Sequence, residues 1–168
     1  MNVTLRELFP GDAAALLNLQ HRLDGETSFM LLAPGERQSG IPQVEDMIRD
    51  LDQAENSLIL GAEADGELAG YLSVEGGGFS RNRHSAYIIT GILKQYQGRG
   101  IGSALFREMD RWAKQCGLVR LELTVMQHNE QAVALYKRQG FEIEGLKPKS
   151  LLVDGQWVDE YYMGKVYS

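Results

Sequence analysis

The stretch Tyr96-Gln97-Gly98-Arg99-Gly100-Ile101-Gly102 constrains the fold of this 168-residue chain more than any other. It joins two segments of different periodicity. Ahead of it, residues 86–93 are β-branched and aromatic, the composition of a buried strand. Behind it, Ile101, Ala104, Leu105, Met109 and Trp112 recur at helical spacing and form an apolar stripe. Glycines at a strand-to-helix junction let the backbone approach a ligand closely, and the unpaired N–H groups of the first helical turn then make an anion cradle. The junction therefore predicts a phosphate-bearing ligand. It is not a P-loop, because GxxxxGK[ST] is absent, and it lacks the dinucleotide fingerprint GxGxxG.

Residues 129–141 read as a capped helix. Asn129 serves as N-cap, Glu130 suits the positive end of the helix dipole, and Gly140 is a natural stop. Ala132, Leu135 and Tyr136 share one face through their spacing.

Together these two segments carry a resemblance. Gln97-x-x-Gly100-x-Gly102 is similar to the Q/R-x-x-G-x-G/A signature of the GCN5-related N-acetyltransferase (GNAT) family. Asn129-x-x-Ala132-x-x-Leu135-Tyr136-x-x-x-Gly140-Phe141 resembles its second block, in the right order and with a strand at 119–125 between them. The resemblance implies a mixed, mostly antiparallel central sheet flanked by helices, splayed between its fourth and fifth strands to admit a pantetheine arm. It implies acetyl-CoA as co-substrate, no metal, and a small-molecule amine as acceptor.

It also assigns roles. The amides of Gln97, Gly98, Arg99, Gly100, Ile101, Gly102 and Ser103 would hold the pyrophosphate, with Asn129 contacting the coenzyme or an ordered water beside it. A backbone amide near Ile92 would polarise the thioester carbonyl, an oxyanion-type contact. Tyr136 occupies the general-acid position, where a hydroxyl can protonate the leaving thiolate. Many relatives carry a basic glutamate where this chain has Tyr87, so Glu75, His84 and Glu122 stand as replacement candidates beside a water chain. Phe29, Met30, Tyr161 and Tyr162 fall where the family places its acceptor pocket.

A narrower likeness, carried by Arg81-x-Arg83-His84, residues 121–125 and residues 141–145, points to the bacterial branch acetylating amino acids or related small amines. A modifier of protein N-termini, of the ribosomal-protein type, and a non-catalytic acyl-CoA sensor are the alternatives. Terminal strands often pair between subunits in this family, which allows a homodimer.

The remainder of the chain reads as one α/β domain over residues 1–168, with the order β-α-α-β-β-β-α-β-α-β-β. Leu16, Leu19, Gln20 and Leu23 mark a first helix face, and Val44, Met47, Ile48 and Leu51 a second. Asp65-Gly66 and Asp154-Gly155 are hairpin turns; Gly76-Gly77-Gly78 opens a flexible loop, and the sixth strand spans 141–149. A net charge of −6 argues against nucleic-acid binding. No run reaches the roughly 18 apolar residues of a membrane span, and no apolar leader stands at the start. The lone Cys116 fits a reducing cytoplasm.

Overall fold

The computed structural model describes residues 2–168. Its strands are β1 (Val3–Glu7), β2 (Leu58–Ala64), β3 (Glu67–Gly76), β4 (Ser85–Ile92), β5 (Arg120–Met126), β6 (Glu142–Val153) and β7 (Gln156–Val166). The helices are α1 (Ala13–Glu26), α2 (Ile41–Gln53), α3 (Ile101–Cys116) and α4 (Glu130–Arg138). The element order matches the sequence expectation. All seven strands form one sheet in the order β1-β2-β3-β4-β5-β7-β6.

Every neighbouring pair is antiparallel except β4 with β5. That parallel pairing covers only Ser85–Arg120, Ala86–Leu121 and Tyr87–Glu122. Beyond Tyr87 and Glu122 the two strands separate, so the sheet is forked on the side where both strands run out. The expected splay is thus present, and its apex is at these two residues.

Consecutive β4 residues show how helices cover both faces. A Cβ on Gly91 would meet Leu23 of α1 at 2.8 Å, whereas Ile92 lies 3.3 Å from the place of a Gly102 Cβ on α3. Adjacent strand residues point to opposite faces, so α1 and α3 lie on opposite sides of the sheet. The predicted stripes are the buried ones: Leu16, Leu19 and Leu23 in α1, Val44, Ile48 and Leu51 in α2, Ile101, Leu105 and Met109 in α3. Phe106 joins them fully buried, its ring 5.6 Å from Tyr136 and 5.8 Å from Phe141. That contact docks α4 and the start of β6 onto α3, with aromatic pairs adding about 0.5–1.5 kcal/mol each beyond burial.

Three local expectations change. The helix after the glycine loop, which the spacing predicts over 99–116, begins at Ile101, directly after Gly100 in a left-handed conformation. The sixth strand runs on to Val153, because its register slips between Lys147 and Leu151 and then resumes against β7. The glycine-rich loop is tied rather than open. Gly76 pairs with Ala86, Gly77 N–H donates to Ser85 O at 2.9 Å, and Asn56 Nδ2 donates to Gly77 O and Arg83 O at 3.0 Å each. Both Asp-Gly hairpin turns are as expected, with Asp65 and Asp154 at positive φ beside Gly66 and Gly155.

Candidate active site

The glycine loop lies at the open end of the fork, directly after β4. Gln97 to Gly100 are exposed, and Gly98 (φ 74°) and Gly100 (φ 83°) turn the chain through the left-handed region into α3. A Cβ at either would meet nothing within 4 Å, so backbone conformation and not crowding demands glycine there. Gly102 is the reverse case, its Cβ position lying 2.9 Å from Leu135 of α4. The first intrahelical bond runs from Ala104 N–H to Gly100 O at 3.0 Å. The amides of Ile101, Gly102 and Ser103 precede it and point out of the helix start, where an anion is favoured. Gln97 Nε2 donates to Ile92 O at 3.0 Å, fastening the loop to the end of β4. An open loop, an unpaired helix start and a fork in the sheet fit a ligand with a phosphate group and a narrow arm.

Tyr136 lies on α4, whose Leu135 meets α3 at Gly102, where Ile92 at the end of β4 also packs. Asn129 caps that helix, its Oδ1 accepting from Ala132 N at 3.3 Å, as read from the sequence. The Tyr136 ring packs on Phe106 and Phe141, leaving the residue 8% exposed. Burial holds its proton more tightly than an ordinary phenol, and nearby Tyr87 acts in the same direction. The group stays protonated throughout the neutral range.

The three base candidates fall in different places. Glu75 pairs with Tyr87 across β3 and β4 and is exposed. His84 precedes the first β4–β5 pair, at the closed end of the fork; its side chain is exposed and its carbonyl accepts from Val119 and Arg120. Glu122 forms the last pair with Tyr87, but Arg120 Nε holds its carboxylate at 2.9 Å. Arg120 also pairs with Glu144 at both carboxylate oxygens, which raises the Arg120 pKa and holds the Glu144 carboxyl below its ordinary range.

A cleft of about 1020 Å³ lies between the loop after α1, the start of α4 and the β6–β7 turn. Ser28, Gln127, His128, Lys137, Trp157 and Tyr161 are among its walls. Phe29 lies at its edge, its ring 5.1 Å from that of His128. Met30 is beside Gly91 of β4. Tyr161 accepts from Gln127 Nε2 at 3.0 Å, while Tyr162 is half-exposed with Lys147 Nζ 5.9 Å from its ring centre. The structure therefore gathers Phe29 and Tyr161 around one cleft and leaves Tyr162 outside it.

Sequence reasoning missed Thr124, His128 and the Asp24–Arg37 pair. Thr124 was findable, since it alternates with Glu122 and shares its face. Asp24 is 2% exposed and binds Arg37 Nε and Nη2 at 2.7 and 3.0 Å, pinning the loop between α1 and α2. No signal in a turn-rich segment marks such a pair. No group of three or more metal-ligating side chains occurs among the described residues, and none of their helices is long and apolar enough to cross a membrane.

Comparison with known proteins agrees with this geometry. The chain is 39% identical over 106 residues to the L-amino acid N-acetyltransferase AaaT of Escherichia coli K12, a stretch covering 61% of this chain and 64% of that protein, under two thirds of its length. The fold superposes on a GNAT acetyltransferase from Streptococcus pneumoniae with a TM-score of 0.95 and 32% identity, covering 99% and 100% of the two chains. A phosphinothricin acetyltransferase from Sinorhizobium meliloti, solved with acetyl-CoA, shares the fold at a TM-score of 0.87 and 18% identity, over 100% of this chain and 90% of that one. A sequence model of the Acetyltransferase (GNAT) family matches residues 23–141. Spanning most of the chain, including the fork, the glycine loop and Tyr136, that match establishes that the protein belongs to the GNAT acetyltransferase family.

Proposed function

We propose that the protein transfers the acetyl group of acetyl-CoA to the primary amine of a small molecule of the amino-acid class. The observation that carries the reading is the fork itself: an exposed glycine loop at its mouth and a protonated tyrosine, Tyr136, beside it. The relative named for L-amino acids supports the acceptor class.

Residues of the chain divide the work. Gln97, Gly98, Arg99, Gly100, Ile101, Gly102 and Ser103 cradle the pyrophosphate with backbone amides. Ile92 and Asn129 flank the arm that enters between β4 and β5. Acetyl-CoA supplies an activated thioester. A neutral amine attacks its carbonyl carbon, the C–N bond forms, and Tyr136 gives its proton to the sulfur as the C–S bond breaks. The second amine proton leaves to solvent, which returns one to Tyr136. The acceptor enters beneath the loop after α1, where Met30 lies beside Gly91 on the Tyr87 face of β4. A cytoplasmic location accords with the single Cys116, and a homodimer would follow the habit of the family.

The test is thiol release from acetyl-CoA across free amino acids, polyamines and short peptides. Turnover confined to free amino acids is the expected result. Preference for peptides would move the protein to N-terminal modification, and coenzyme binding without turnover would make it a sensor.

A further inference from the structure

The apex of the fork carries a row of side chains on one sheet face. Glu75 of β3, Tyr87 of β4 and Glu122 of β5 are register partners in sequence across three strands. Tyr87 does not stay over its own strand. Its hydroxyl lies 2.7 Å from Thr124 Oγ1, two residues past Glu122 on β5 and therefore within the unpaired part of the fork. The ring thus reaches across the fork to β5 while remaining 38% exposed.

The charged groups around it are arranged to leave this hydroxyl in command. Glu75 lies on the strand from which the ring points away. Glu122 is held by Arg120, and Arg120 by Glu144, so both carboxylates are tied to one guanidinium at the closed end of the fork. His84 is at the closed end, and Tyr162 of β7, the partner of Thr124 in register, brings a second phenol to this face. A phenol hydroxyl, tied by one hydrogen bond on a residue 38% exposed, is what the fork offers an incoming group.

We propose that Tyr87 receives the acceptor amine: its hydroxyl donates to Thr124, accepts a hydrogen bond from the neutral amine N–H, and aims the nitrogen lone pair into the fork. This rests on the transferase reading above. Tyr87 takes no proton. The ammonium form of the acceptor loses its proton to solvent before it binds productively, and the protein supplies orientation in place of a carboxylate base.

The experiment measures kcat/KM against pH for two acceptors of well-separated amine pKa, with wild-type protein and with Tyr87→Phe, Thr124→Val and Tyr87→Glu. In the wild type the acidic limb is expected to move with the pKa of the acceptor. Tyr87→Phe lowers kcat/KM for the amine by about tenfold, the size of one oriented hydrogen bond, and leaves the KM for acetyl-CoA unchanged. Thr124→Val keeps the ring and shows the same direction. Tyr87→Glu brings a limb fixed in pH whichever acceptor is used. Calorimetry of the amine against protein saturated with coenzyme A gives a readout without turnover, and Tyr87→Phe weakens that binding.

A wild-type limb at one pH for both amines would overturn the proposal, as would Tyr87→Phe and Thr124→Val proteins of normal melting temperature with unchanged amine binding. Failure of the transferase reading looks different: coenzyme binds, no amine is turned over, and both readings fall.

Discussion

Gln97 Nε2 donates to the carbonyl oxygen of Ile92 at 3.0 Å, so one side chain fixes the distance between the end of β4 and the glycine loop. Replacing Gln97 with Ala removes this tie without opening a core, because Gln97 is exposed. The expected effect is a five- to tenfold weaker acetyl-CoA affinity, roughly 1 kcal/mol, with little change in melting temperature. Titration calorimetry with the coenzyme measures it, and unchanged affinity would show that the loop holds its shape unaided.

Gly100 and Gly102 should fail for different reasons. Gly100→Ala places a side chain at φ 83° and costs about 1–2 kcal/mol in backbone strain, with no new contact. Gly102→Ala drives a methyl to 2.9 Å from Leu135 and costs about 1–3 kcal/mol in overpacking. Trimming Leu135 to Ala relieves the second case and not the first. Urea melts of the four proteins and the two doubles distinguish them: Gly102→Ala with Leu135→Ala should be less than additive, Gly100→Ala with Leu135→Ala additive.

Asp24→Ala strands the Arg37 guanidinium, whose side chain is only 16% exposed. Breaking one side of such a pair costs about 3–5 kcal/mol, less here to the extent that Arg37 swings out to water. The loop over the cleft should loosen with it. Faster amide exchange across residues 27–40, with a higher acceptor KM, is the expected signature.

Tyr136→Phe retains the ring packing on Phe106 and Phe141. Only the proton donor is lost, so kcat should fall by about a hundredfold while acetyl-CoA affinity holds. A kcat within twofold of wild type would remove Tyr136 from the acid role.

Stability should decline at both ends of the pH scale. Tyr71, Tyr136 and Tyr167 all have folded-state pKa values raised, chiefly by burial, with a hydrogen bond to Asp110 adding to the shift at Tyr167. Their contribution is complete below the ordinary phenol pKa of about 10 and is lost as pH rises through the higher folded values. Asp12 and Glu144 are lowered, by Arg6 and Arg120 respectively. Their contribution is present above the usual carboxylate range and disappears as pH falls through the folded values. Melting temperature against pH checks both, and Tyr136→Phe should flatten the alkaline side.

Most elements were legible because burial leaves a period in the sequence. The Leu16, Leu19, Leu23 stripe and the Asp65-Gly66 turn each follow from local rules, and each appears as read. The glycine loop was equally plain, since positive φ at Gly98 and Gly100 is written in residue type. What stayed hidden depends on partners distant in sequence. Asp24 with Arg37, Arg120 with Glu144, and Tyr87 with Thr124 are chemically ordinary until the sheet order brings them together. The overrun of β6 to Val153 was concealed by a slip in register, which interrupts the alternation on which strand reading depends.

The sheet order carries a consequence for how the site is assembled. β7, last of the strands in sequence, lies between β5 and β6 and lines one whole side of β5. Until it arrives, β5 has only three residues of β4 to hold it, and one arm of the fork has no fixed position. The N-terminal meander of β1 to β4 has no such dependence, with every strand beside its sequence neighbour. The ligand's entry is therefore completed by the last strand in sequence: without residues 156–166, β5 would keep only its three-residue pairing with β4 and the fork would lack one fixed wall.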